Sequence, residues 1–152
     1  MQDAQFASVS SSQFEESSIQ CAPQLSVLWE QMALEACSCH DPLVRGLLAT
    51  GIRSHSSFAS ALAALIGRKL GDRSVAADAL SERGKGSFDA EPDIVCAAAA
   101  DLLAIRERDT ACPDFVTPFV FFNGSPAVRA YRVARWLWLC AWWPLALALH
   151  SM

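Results

Sequence analysis

Few residues in this chain are grouped as chemistry requires. Cys37-Ser38-Cys39-His40 sets two thiols beside an imidazole, which could begin a zinc site. Structural zinc takes four ligands at recognisable spacing, and no second pair stands elsewhere in a matching pattern. The segment therefore reads as helix-end cysteines, and no metal site is expected. His55 lies in a polar Arg53-Ser54-His55-Ser56 stretch and reads as a surface or capping residue, while His150 lies near a terminus. Neither has a motif around it, so no Ser–His–Asp set can be assembled and no catalytic residue is expected. Asp109 closes the charged run Arg106-Glu107-Arg108-Asp109. On its own it is a loop aspartate that pairs with Arg106 or Arg108, or caps the next turn. Arg129, Arg132 and Arg135 form a stripe on one helical face, read as solvated or salt-bridged rather than as an anion site. Trp136, Trp138, Trp142 and Trp143 suit core or subunit-interface packing better than a binding platform.

The elements that would position these residues are helices. No period-2 alternation bounded by hairpin dipeptides occurs, so strands are not expected. Residues 1–22 offer little to bury and are expected to form a disordered Ser/Gln-rich tail. From Pro23 a helical domain is expected to run to residue 143, followed by a short apolar segment over 144–152. The first helix spans about Gln24 to Cys37, with Leu25, Leu28, Trp29, Met32 and Ala36 on one face. Asp41-Pro42 opens the second, as an N-cap acid before proline. Ser56 or Ser57 caps the third, whose basic end at Arg68 and Lys69 precedes Gly71 in an αL cap. A shorter helix follows Ser74 and should stop at Gly84-Lys85-Gly86. Glu91-Pro92 opens the next, with Ile94, Val95, Ala98, Leu102 and Ile105 as its apolar side. Thr117-Pro118 and Ser125-Pro126 repeat the cap-then-proline signal across an Asn123-Gly124 break. Ala130, Val133, Ala134 and Leu137 face inward on the last helix.

Bulk composition narrows the class. Hydrophobic residues are 53% and charged residues 18%, which argues against disorder over most of the chain. The formal net charge is -4 and the twelve Lys and Arg are scattered, so nucleic-acid binding is not expected. The first twenty residues carry neither a basic n-region nor an apolar h-region, so no secretory signal is expected and a cytoplasmic setting is. In that setting the six cysteines read as reduced thiols. Trp136 to Leu149 is wholly apolar apart from Pro144, but shorter than the ~18–20 residues a bilayer span needs. A buried or partner-covered segment is favoured over a membrane helix.

Ordered landmarks run through most of the chain. They include Leu28-Trp29-Glu30 with Glu35-Ala36, Asp41-Pro42-Leu43, His55, Ala61-Leu62 and Lys69-Leu70. Glu91-Pro92-Asp93-Ile94, Ala99-Ala100-Asp101-Leu102, Arg106-Glu107-Arg108-Asp109 and Thr117-Pro118-Phe119 follow, then Ala130-Tyr131-Arg132-Val133-Ala134 into Trp136-Leu137-Trp138. In order and spacing they resemble the N-terminal domain of serine acetyltransferases. The resemblance implies an all-α, multi-helix domain of an enzyme that moves an acetyl group from acetyl-CoA to L-serine for cysteine synthesis.

It further implies a homo-oligomer, commonly a dimer of trimers. A left-handed parallel β-helix would hold acetyl-CoA, and a histidine with a supporting aspartate would take the serine proton. Nothing in this sequence matches that β-helix, its catalytic segment, or a tail for docking O-acetylserine sulfhydrylase. The chain is thus expected to carry no cofactor and to be inactive alone. By resemblance Asp109 is the substrate-contacting residue, a carboxylate for the serine ammonium. The family usually has KGFHA where this chain has Asn123-Gly124-Ser125-Pro126-Ala127, His where Arg135 stands, and a polar stretch in place of Leu139-Cys140-Ala141-Trp142-Trp143. The alternative is a non-catalytic oligomerisation or regulatory module.

Overall fold

The computed structural model describes residues 8–71, 76–122 and 124–150. Among them every regular element is helical and no strand occurs: α1 (Ser8–Cys37), α2 (Pro42–Leu48), a π-turn (Ala49–Arg53), α3 (Phe58–Leu70), α4 (Ala77–Ala90), α5 (Asp93–Arg108), α6 (Val116–Val120), α7 (Gly124–Leu139) and α8 (Trp143–His150). The all-α fold expected from the sequence is the one observed.

Local capping sets several boundaries as expected. Asp41 Oδ1 accepts from the backbone N–H of Leu43 at 2.8 Å and of Val44 at 3.1 Å, and Pro42 occupies the first turn. Ser57 Oγ accepts from Ser60 N at 3.2 Å and opens α3. Each bond satisfies a donor that the helix cannot pair internally.

Four boundaries differ. The expected tail over 1–22 is helical from Ser8, because extending a helix already anchored at Leu25, Leu28 and Met32 fixes few residues per bond gained; residues 1–7 lie outside the described residues. Gly84 and Gly86 do not end α4, which continues to Ala90. Gly84 is buried, and a methyl group there would touch Ala63 Cβ at 3.5 Å, so close packing on α3 offsets its poor helix propensity. Gly71 caps α3 in an extended conformation (φ -65, ψ 135), not in αL. The segment from Pro144 to His150, set apart in the sequence reading, is almost all of α8, and it places Ala146 and Leu149 in the core. The cap expected at Ser74 and the break at Asn123 fall on residues outside those described, and Ser125, the other expected cap, lies inside α7, which begins at Gly124.

Helices α3 and α4 form an antiparallel hairpin, since Gly67 lies against Ala77 and Gly84 against Ala63. One core runs through the domain, joining Leu28 and Met32 of α1, Phe58, Leu62 and Ile66 of α3, Leu102 of α5, Phe119 of α6 and Leu137 of α7. α5 crosses beside α1, α6 and α7. That position sets its carboxyl end beside the start of α7.

Candidate functional site

The groove at the carboxyl end of α5 holds Arg108 and Asp109 of the charged run. Asp101, Ala104, Ile105 and Arg108 lie on one face of α5 at helical spacing and form one wall, continued by Asp109 and Thr110. Phe122, Gly124 and Val128 form the other. The groove encloses about 650 Å³, enough for a small polar metabolite.

Asp109 stands where α5 ends. Its backbone N–H donates to Ile105 O at 2.9 Å, and its carbonyl accepts from Cys112 N at 3.0 Å. Its Oδ1 accepts from Ala111 N at 2.9 Å, which holds the half-buried carboxylate in an Asx turn. The local reading of Asp109 as a turn cap therefore describes its geometry, and the groove wall holds it as well. Cys112 follows, buried, with Sγ donating to Asp114 O at 3.2 Å. Burial pushes its thiol pKa up, and Asp109 and Asp114 push the same way, against the Asp114 hydrogen bond and the charge of Arg106. Raised in this way, the thiol is a poor nucleophile.

Asp114 and Glu35 together start α6. Asp114 Oδ1 accepts from Thr117 N at 2.7 Å, so the expected cap Thr117 lies inside α6, which begins at Val116. Glu35 Oε2 reaches across from α1 to accept from Phe115 N at 2.9 Å and Val116 N at 3.3 Å.

The arginine stripe divides three ways. Arg132 pairs with Asp101 at 2.5 Å and Arg135 is exposed, as the sequence suggested. Arg129 is 0% exposed, which corrects its assignment to a solvated face. It stands one turn before Val133 and two before Leu137, on the buried side. Among the described residues its Nε, Nη1 and Nη2 have no hydrogen-bond partner, and its guanidinium carbon lies 5.1 Å from the centre of the Phe119 ring. Burial lowers its pKa from the ordinary guanidinium value to about 10, with Asp101 opposing and Arg132 assisting. No motif signals this; only the i, i+4, i+8 spacing does.

The remaining candidates are structural. Among the described residues no three His, Cys, Asp or Glu are grouped to hold a metal. His55 Nε2 donates to Thr50 O at 3.2 Å and Nδ1 accepts from Ser60 Oγ at 3.1 Å, tying the π-turn to α3. Cys21 and Cys96 are joined by a disulfide, which corrects the reading of all six cysteines as free thiols; α1 and α5 bring the two Cα atoms to 6.0 Å. Trp136 is half-buried against the core. Trp138, Trp142 and Trp143 are exposed by 51%, 44% and 56%, and Arg83 sits 3.8 Å over the Trp142 ring. Among the described residues no helix is long and apolar enough to cross a membrane.

Residues 28–130 match the family model described as serine acetyltransferase, N-terminal. The chain belongs to the serine acetyltransferase family. It is 30% identical over 117 residues to the serine acetyltransferase of Salmonella typhimurium, an alignment that covers 76% of this chain and 43% of that protein. The Neisseria gonorrhoeae serine acetyltransferase in complex with serine superposes with a TM-score of 0.78 at 30% identity, over 82% of this chain and 52% of the other. The soybean enzyme in complex with serine gives 0.77 at 36% identity, again over 82% of this chain and 52% of the other. The chain spans less than half the length of the Salmonella serine acetyltransferase. The family landmarks lie on the described helices and the turns that join them, with Asp109 just past the end of α5.

Proposed function

We propose that this chain is the helical assembly half of a serine O-acetyltransferase and contributes Asp109 to the serine site. One observation carries the reading: the carboxylate that ends the Arg-x-Arg-Asp segment lines an open groove, in a fold shared with two serine-bound relatives. An ammonium group is drawn to a carboxylate by a charge-assisted hydrogen bond, which both binds and orients it. Arg108 on the same wall offers a guanidinium to the amino acid's carboxylate. Asp101, also on that wall, is engaged by Arg132 and leaves Asp109 to take the amine.

The reaction is acetyl transfer from acetyl-CoA to the serine hydroxyl in a cytoplasmic setting, with acetyl-CoA as co-substrate and a homo-oligomer, a dimer of trimers, as the working assembly. This chain supplies the amine anchor and not the base. His55 has both ring nitrogens engaged. Mixed with L-serine and acetyl-CoA, the chain alone releases no CoA above background. Adding L-serine moves the NMR signals of Asp109, Thr110 and Phe122, and Asp109→Asn abolishes the movement. Turnover by the chain alone, or serine shifts confined to another face, would overturn the reading.

A second reading, a non-catalytic oligomerisation or regulatory module, rests on the exposed apolar end of the domain. Leu139, Trp143 and Leu147 are 70%, 56% and 56% exposed. Co-purification with a full-length acetyltransferase supports it, and monomeric behaviour without co-purification removes it.

A further inference from the structure

We infer that Cys21 and Cys96 form a redox-controlled clamp holding the amino-terminal part of α1 on α5. The two residues are joined in a disulfide across a sequence separation of 75. Both are half-buried, so a small thiol or disulfide can reach the pair. The other cysteines are placed differently: Cys37 and Cys140 are exposed, Cys39 is half-buried, and Cys112 is buried.

The position of the bond along α1 gives it leverage. Among the described side chains, α1 packs on the core through Leu25, Leu28, Trp29 and Met32. Pro23 lies inside the helix between Cys21 and Leu25 and can donate no backbone hydrogen bond. Of the described side chains before Leu25, Cys21 is the one covalently bonded to another helix. Breaking the bond therefore removes, among the described side chains before Leu25, the one covalent tie between this serine-rich stretch of helix and α5. Such segments open at low free energy while the packed remainder stays closed. Cys96 is in the first turn of α5, away from the last turns that form the groove wall.

The chemistry is thiol–disulfide exchange with a small-molecule disulfide such as oxidised glutathione. The thiolate of one cysteine attacks that disulfide, forming a mixed disulfide and releasing one glutathione thiolate. The second cysteine displaces the remaining glutathione, and the Cys21–Cys96 bond forms. Two electrons and two protons leave the protein's thiols, and the oxidant's S–S bond is reduced to two thiols.

The test is a glutathione titration of the full 152-residue chain, with free thiols alkylated and mapped by mass spectrometry. In oxidising buffer Cys21 and Cys96 are protected together while Cys37 and Cys140 remain alkylated. Hydrogen exchange over residues 8–22 then quickens by about tenfold or more on reduction, while α3 and the centre of α5 exchange at an unchanged rate. Cys21→Ser and Cys96→Ser each hold the chain in the fast-exchanging state whatever the buffer, and Cys37→Ser/Cys140→Ser titrates as wild type does. Free Cys21 and Cys96 thiols in oxidising buffer would overturn the clamp. So would exchange over 8–22 that ignores the redox state.

Discussion

Glu35 near the end of α1 caps a helix 80 residues further on, its Oε2 accepting the backbone N–H of Phe115 at 2.9 Å. The same oxygen accepts from Val116 at 3.3 Å, and Gln31 Nε2 donates to Oε1 at 3.1 Å. α6 has five residues, too short to hold itself. Its amino end therefore rests on α1 and Asp114. Glu35→Gln keeps the shape but gives up the charge, and should lower unfolding stability by about 1–2 kcal/mol. Urea denaturation followed by circular dichroism measures the loss; an unchanged midpoint would show the bond to be incidental.

Two glycines of the α3–α4 hairpin should respond in opposite ways to the same change. A methyl group on Gly67 would overlap Ala77 O and Ser81 Oγ, whereas one on Gly86 meets nothing within 4 Å. Gly67→Ala should force the helices apart at a cost of about 1–3 kcal/mol. Gly86→Ala, inside α4, should raise stability by roughly 0.5–1 kcal/mol. Thermal melts of both variants compare the signs directly.

Removing the buried charge at Arg129 should stabilise the domain. Three nitrogens there, without a partner among the described residues, are set against the Phe119 ring and the nearby Asp101 carboxylate. Arg129→Met fills similar space without charge and should gain about 1–4 kcal/mol at neutral pH. The folded-state pKa of about 10 lies below that of an ordinary guanidinium, so between the two values the unfolded chain binds more protons. The penalty is thus complete below about pH 10 and fades as pH rises through the interval. The advantage of Arg129→Met should narrow above pH 10; an advantage independent of pH would point to packing rather than charge.

The turn between α7 and α8 stores a smaller strain. Ala141 has φ 61, a left-handed conformation that a side chain disfavours by about 1–2 kcal/mol. Trp142 N donates to Leu137 O at 2.9 Å and closes the turn. Ala141→Gly relieves the strain and should stabilise the chain by up to about 1 kcal/mol, read as a raised melting temperature.

Sequence carried the local signals well. Asp41 and Ser57 cap as their positions suggest, and the inward faces of α3, α5 and α7 follow the helical period. The turn at Asp109 was legible from the residues around it, whereas the substrate role proposed for it comes from the family resemblance, because an Asx turn and a substrate carboxylate look alike in one sequence. Glu35, Arg129 and Cys21–Cys96 were not legible, since each takes its role from a helix distant in the chain. Gly84 misled for the same reason: its conformational cost is a property of the chain, and its compensation belongs to Ala63 across the hairpin.

The α3–α4 hairpin also bears on the order of assembly. Its partners lie close in sequence, whereas the Glu35 cap and the Cys21–Cys96 bond close long loops. Short loops close at lower entropic cost, so a ribosome releasing this chain would present a paired hairpin before α6 has left the exit tunnel. Substitutions in the hairpin core would then slow refolding, while loss of the Glu35 cap would chiefly hasten unfolding.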